Sequence, residues 1–303
     1  MTLKWYLGMT SFSLSLFAIF LNLLIFLPVF QLAFISKKSS IYVIAFFNII
    51  SDLMQLSITC FYLAASILAD RYVITGHRTN ALAIVFGWIF INAWYMECLV
   101  QIVMAVNRFT VITLKQKNVF TFKTTMIIFA FLISFTVGSA ICTQFIADHN
   151  VMSFMFIDID GLYSYSNFML VSYDIVCTST STLCYISVFR SIRNHNKASN
   201  VQRNKSNQDV KYLFQFVFIS IFYIFTWVLF ELLPHIVPTN QPEWYSVVPV
   251  LVTLNCSSNS IIYLSINLEV QKSLQIPWLR KKLVGANASS TVQVLQVRAA
   301  KVV

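Results

Sequence analysis

The chain has 303 residues, of which 58% are hydrophobic and 11% charged; an ordinary soluble domain carries about 25% charged residues. Such a composition cannot clothe a water-facing surface, which excludes a soluble globular protein. The net charge of +10 would suit a nucleic-acid binder, but the basic residues sit between apolar blocks and make no single face, so nucleic acid is not implied.

Seven apolar blocks follow in order: Ser11 to Ile35, Ile41 to Ala69, Ala81 to Leu114, Thr124 to Ala147, Asn167 to Phe189, Tyr212 to Leu233 and Tyr245 to Leu268. Each is long enough for an α-helix to cross roughly 30 Å of hydrocarbon. Backbone hydrogen bonds inside lipid must close within each segment, which makes the blocks helices; a barrel would instead show alternating strands. The predicted fold is all-α, a seven-transmembrane helix bundle. Residues 1–10 form a short outer N-terminus, 11–268 the bundle and 269–303 a basic tail. The first block is too long for a signal h-region and reads as a span that is its own signal anchor. Beyond the seventh block, Glu269 to Leu274 fits a short helix on the membrane surface, with Leu274 and Trp278 toward lipid and Lys272, Arg280, Lys281 and Lys282 toward anionic headgroups. A plain basic tail fits as well.

Loops rich in lysine and arginine stay on the cytoplasmic side. With the N-terminus outside, eighteen of the twenty-one basic residues fall inside, and only Lys4, Arg71 and Arg78 fall outside. The N-terminus is therefore expected outside and the C-terminus inside.

All six cysteines (Cys60, Cys98, Cys142, Cys177, Cys184, Cys256) lie in apolar blocks without CxxC spacing, so they read as small buried hydrophobes. The chain also lacks HExxH and GxSxG patterns, and nothing points to an enzyme.

An ionisable group within a span costs about 2.5 to 3.5 kcal/mol on insertion scales and calls for a partner or a task. Asp52, Glu97, Asp174 and Glu231 are such groups. On the third block Glu97, Gln101, Met104 and Arg108 share one helical face, polar at mid-depth and cationic at the inner mouth. In the last block Asn255, Asn259, Tyr263 and Asn267 recur every four residues. Such a stripe faces protein or water; interhelical hydrogen bonds worth about 0.6 to 2 kcal/mol each would explain it without any function. Toward the outer ends, Trp88, Phe90, Asn92, Trp94 and Tyr95 on the third block, Tyr173 and Asp174 on the fifth, and Glu231 and His235 near the sixth suggest a pocket for a small organic ligand. Aromatic residues at these depths serve equally as interface anchors.

Asn259-Ser-Ile-Ile-Tyr263 resembles the Asn-Pro-x-x-Tyr motif of rhodopsin-like G-protein-coupled receptors, and Asn107-Arg108-Phe109 resembles their Glu/Asp-Arg-Tyr motif with only the arginine retained. Asn22 and Asp52 stand where that family places its core Asn and Asp. More narrowly, Met104-Ala-Val-Asn-Arg-Phe109, Phe120-Thr-Phe-Lys-Thr-Thr125, Asp209-Val-Lys-Tyr-Leu-Phe-Gln215 and the Asn267-Leu-Glu269 exit resemble nematode serpentine chemoreceptors, class X above all, with classes T and V similar in the seventh span.

The resemblance implies a multi-pass plasma-membrane chemosensory receptor that binds a small extracellular ligand and activates a heterotrimeric G protein. Arg108, Asn107, Asn259 and Tyr263 would be its switch and coupling residues. It further implies that Asn22, Asp52, Glu97, Asn255 and Asn259 converge on a central polar cavity, with a sodium ion or a shared proton at Asp52 and Glu97 and no other cofactor. A neutral hydrogen-bonded cluster that binds helices together is the alternative. Departures matter too. No cysteine opens the third block, so the usual disulfide to the second outer loop is missing. Trp227 lacks the usual following proline. Phe90 replaces the third-span Asp of amine receptors, and Thr253 the retinal lysine of opsins, so by the resemblance neither class fits. A seven-span transporter or channel is the other reading, since intramembrane carboxylates also mark ion paths, but inverted halves and paired broken helices are lacking.

Overall fold

The computed structural model describes residues 3–78, 80–116, 118–141, 145–157, 162–198, 203–238 and 240–274. Seven long helices make the bundle: α1 (Leu3–Phe30), α2 (Ser40–Ile58), α3 (Ala81–Ile112), α4 (Phe122–Ala140), α5 (Leu162–Ala198), α6 (Arg203–Ile236) and α7 (Val247–Ile266). A short α8 (Leu268–Ser273) follows. Six helical stretches are long and apolar enough to cross a membrane, and α6 contributes the shorter apolar stretch Ser220–Ile236.

Helix starts are set by polar caps that satisfy the first free N–H groups. The Ser39 side chain accepts from the Ile41 amide, Asn80 from Leu82, Thr121 from Thr124, and Asn267 from both Glu269 and Val270. The Asn267 cap turns the chain out of α7 into α8, so Glu269 to Ser273 is helical; Trp278 and the basic residues after it lie outside the described residues. Two wide turns break the regular ladder. Gln31–Ile35 follows the buried Pro28 of α1, whose missing N–H already loosens that end, and Thr59–Ala64 carries α2 into a last helical piece, Ala65–Ala69.

Large apolar side chains cover the outside, among them Phe17, Phe20, Ile127, Phe131 and Leu183, which suits a lipid surface and not water. Of the span window of α4 only 17% is buried, against 67% for α3; α4 is peripheral and α3 forms the axis. Phe47 of α2 stacks on Phe129, a buried residue of α4, at 4.2 Å between centroids.

The fourth block ends earlier than its hydropathy suggests. Helix α4 stops at Ala140, and the chain returns as an antiparallel hairpin of β1 (Phe145–Asp148) and β2 (Ser153–Phe156), with Phe145 opposite Phe156 and Asp148 opposite Ser153. Phe145, Ile146 and Ala147 are apolar because they are buried against α3 and the Thr59–Ala64 turn, not because they face lipid. Pairing satisfies the strand backbone there. At the turn, the Asn150 amide donates to Asp148 Oδ1 at 2.8 Å, and Met152 takes a φ of 56°. The bundle thus has a hairpin end and an Arg108 end.

Candidate ligand cavity and polar core

At the hairpin end a cavity of about 30 Å³ lies between α3, α5, α6, α7 and the hairpin. Phe90, Ile91 and Trp94 line it from α3, Leu170 and Asp174 from α5, Thr226, Trp227 and Phe230 from α6, Val248 and Val252 from α7. Phe145 and Phe154 close it from the hairpin. The strands reach it because Phe90 stacks on Phe154 at 3.8 Å and on Phe145 at 5.8 Å. Gly87, one turn earlier on α3, leaves the room: a Cβ there would lie 1.6 Å from the Phe145 carbonyl oxygen.

One polar group lies in this apolar lining. Asp174 is fully buried, and its Oδ1 accepts from Trp94 Nε1 at 3.1 Å, from Cys98 Sγ at 3.7 Å and from the Tyr223 hydroxyl. Its Oδ2 has no hydrogen-bond partner among the described residues, and neither do Trp227 Nε1 and Glu231 Oε1.

Of the expected pocket residues, Phe90, Trp94 and Asp174 do line this cavity. Tyr95 and Tyr173 pair elsewhere, stacked at 4.2 Å, and the Tyr173 and Ser139 hydroxyls hydrogen-bond at 2.7 Å. Trp88, Asn92 and Glu231 are half-buried outside the lining, and His235 is exposed. Sequence reading missed Cys98, Tyr223, Trp227, Phe230 and the hairpin aromatics. A helical signal was available for most of them: Trp94 and Cys98 share a face of α3, as do Tyr223, Trp227 and Phe230 on α6.

Deeper in the bundle, Asp52 Oδ2 accepts from Asn48 Nδ2 at 2.9 Å and Asn259 Nδ2 at 3.2 Å. Glu97 Oε1 accepts from Asn255 Nδ2 at 2.6 Å and its Oε2 from Gln55 Nε2 at 2.9 Å. Asn22 Nδ2 donates to the carbonyls of Ala18 and Cys256 at 3.0 and 3.1 Å. A carboxylate oxygen of Asp52, one of Glu97 and the Cys256 sulfur lie within 4.8 Å of one another. The structure therefore brings Asn22, Asp52, Glu97, Asn255 and Asn259 together across α1, α2, α3 and α7. Asn48, Gln55 and Cys256 join them, and the i−4 and i+3 spacings of Asn48 and Gln55 from Asp52 were legible on α2. Four buried acceptor oxygens, Asn22 Oδ1, Asp52 Oδ1, Gln55 Oε1 and Asn255 Oδ1, have no partner among the described residues.

At the other end, Asn107 is buried and Arg108 half-buried, within electrostatic reach of Tyr185 on α5. Tyr263 is buried among Ile25, Val29, Tyr42 and Val43 of α1 and α2, apart from the core around Met104. Below them, Glu269 of α8 accepts from the Tyr42 hydroxyl at 2.6 Å and pairs with Lys38 at 2.7 Å. Burial pushes the Glu269 carboxyl up, but the hydrogen bonds from Lys38 and Tyr42 outweigh it and hold it below the usual value.

Cys60, Cys98, Cys177 and Cys256 are buried and Cys184 half-buried, all as free thiols; Cys142 lies outside the described residues. Cys98 and the Tyr223 hydroxyl also share a 2.8 Å contact, so this thiol is a polar group as well as a small apolar one.

The family model of the serpentine type 7TM GPCR chemoreceptor Srt matches residues 2–285, nearly the whole chain. The chain belongs to this family. Its class is Srt, whereas the narrowest motif resemblance was to class X. In architecture this Srt receptor is similar to squid rhodopsin, whose crystal structure it matches with a TM-score of 0.71 at 15% identity, over 91% of this chain and 86% of that one. No curated protein matches it. The receptor is a multi-pass membrane protein with a chemosensory role. Nothing in its family or fold favours the transporter alternative.

Proposed function

We propose that this receptor sits in the plasma membrane with the hairpin end outward, binds a small organic ligand in the hairpin-capped cavity, and activates a heterotrimeric G protein at the Arg108 end. The observation that carries this reading is the continuity of α3. One 32-residue helix, Ala81–Ile112, holds Phe90, Ile91 and Trp94 at the cavity, Glu97 in the polar core and Arg108 at the far end. A ligand that favours one packing of α3 shifts the population of the whole helix, and differential affinity for two states is all that coupling requires. The basic residues at the Arg108 end, among them Lys37, Lys38, Lys115 and Lys123, support the orientation.

The polar core would set the resting state. Two buried carboxylates close together disfavour double ionisation, and no Lys or Arg stands among the side chains that bond them. The four unpartnered oxygens suit a hard cation, so Asp52, Glu97, Asn22, Gln55 and Asn255 would hold sodium, which would supply the neutralising charge; a proton shared by the two carboxylates is the other means.

The test is expression in cells that carry a promiscuous G protein, challenged with odorant and secreted-metabolite pools. A G-protein-dependent response is expected. A ligand-gated current that persists without any G protein would overturn the proposal.

A further inference from the structure

We infer that the ligand of the hairpin-capped cavity is a compact monoamine, whose protonated nitrogen pairs with Asp174 Oδ2; the inference rests on the cavity being the receptor's ligand site. A carboxylate removed from water is costly unless paired or fully hydrogen-bonded. Asp174 is 0% exposed, and its three donors, Trp94, Cys98 and Tyr223, are neutral and all act on Oδ1. Oδ2 is left without a partner among the described residues, on a side chain that lines the cavity. None of the lining residues is basic. Glu231, one turn beyond Trp227 on α6, lies within electrostatic reach of Asp174 and adds negative potential.

The rest of the wall suits a cation with a small apolar body. Trp94 and Tyr223 are stacked at 5.3 Å with Trp94 in the lining, and Phe90, Trp227 and Phe230 present further aromatic surface, which attracts a cation in a desolvated site. A volume of about 30 Å³ is room for only about two waters, so the body is a short chain that enters as the lining side chains move apart. Phe90 occupies the third-span position where amine receptors carry their Asp, and it stacks on the hairpin instead. The carboxylate comes instead from α5, beside Trp94 of α3.

The experiment measures thermal stability of the purified full chain with primary amines from methylamine to butylamine, each matched by the alcohol of the same skeleton. This readout needs no G protein. The amines should raise the melting temperature, with the alcohols about 100-fold weaker or more, the size expected when one partner of a buried charge pair is removed. Asp174→Asn should abolish the preference for amines. Should that variant fail to fold, Val252→Phe, which fills the cavity and leaves the donors of Asp174 in place, should abolish the amine shift by itself. Equal stabilisation by amine and alcohol, no stabilisation by any amine, or an amine effect that survives Asp174→Asn overturns the inference. Amine binding through Asp174 without G-protein activation would sink the signalling proposal and leave this one standing. Activation by neutral ligands that Asp174→Asn leaves intact would do the reverse.

Discussion

Gly87 of α3 lies so close to Phe145 of the hairpin that a Cβ on it would fall 1.6 Å from the Phe145 carbonyl oxygen. Strand β1 therefore packs on bare helix backbone, and this contact, with the Arg78–Asp148 ion pair at 3.2 Å and the edge-on contact of Tyr72 and His149, holds the loop that rhodopsin-like receptors usually tie with a disulfide. Gly87→Ala should displace the hairpin. An overpacked buried contact costs about 1 to 3 kcal/mol, and protease cleavage near Asn150 should become faster. Unchanged cleavage and unchanged melting temperature would show that the hairpin does not depend on this contact.

Hairpin docking should also respond to pH through His149. Burial, and then the nearby Lys4, disfavour its charged form, while Asp148 and Asp70 favour it; the net effect holds the imidazole below its ordinary value of 6.5. A group whose folded value is depressed contributes stability that is present above its unfolded value and lost as pH falls through the folded one. Melting temperature should therefore drop as pH falls below about 6.5, and His149→Gln should remove that part of the drop. A parent and variant with parallel pH profiles would refute the assignment.

The seven helices were legible because apolar length and lysine-arginine position are strong, local signals. The hairpin was not. Phe145 to Ala147 continue the hydropathy of α4, and only the tertiary contact with Gly87 separates a buried strand from a lipid-facing helix. The polar core was legible in part: Asp52, Glu97, Asn255 and Asn259 announce themselves as polar residues in apolar spans. Cys256 did not, since a cysteine in an apolar span reads as a small hydrophobe until its neighbours on α2 and α3 are known. The cavity was legible at Phe90, Trp94 and Asp174 but not at Tyr223, whose hydroxyl meets Asp174 across 49 residues of chain.

Arg108 tests the coupling end. Arg108→Ala should remove G-protein activation while leaving surface expression, and leaving the thermal shift produced by a cavity ligand at least partly intact. Its neighbour Asn107 carries no charge to hold the guanidinium locally, so basal activity of the parent should exceed that of an Asn107→Asp variant. A nucleotide-exchange assay on membranes with matched receptor levels decides both points, and full signalling by Arg108→Ala would remove Arg108 from the mechanism.

The last prediction concerns the polar core. Asp52 and Glu97 each take two amide donors, which leaves Asp52 Oδ1 and the carbonyl oxygens of Asn22, Gln55 and Asn255 facing the buried interior without partners among the described residues. A cluster that only fastened helices together would not leave this excess of acceptors, since each unmet buried group costs about 1 to 3 kcal/mol. A cation or a shared proton removes the deficit. Resting-state melting temperature should therefore depend on sodium concentration or on pH, and the double change Asp52→Asn with Glu97→Gln should abolish the dependence while keeping the helices packed, because both amides preserve shape; the one oxygen left at position 97 accepts from one donor, and the other amide, Gln55 or Asn255, turns its unpartnered carbonyl oxygen toward the new NH2. Sodium alone, tested against potassium at equal ionic strength, separates a specific ion from screening. If the parent receptor melts at one temperature whatever the sodium level and pH, the core is glue and its unmet oxygens need another explanation.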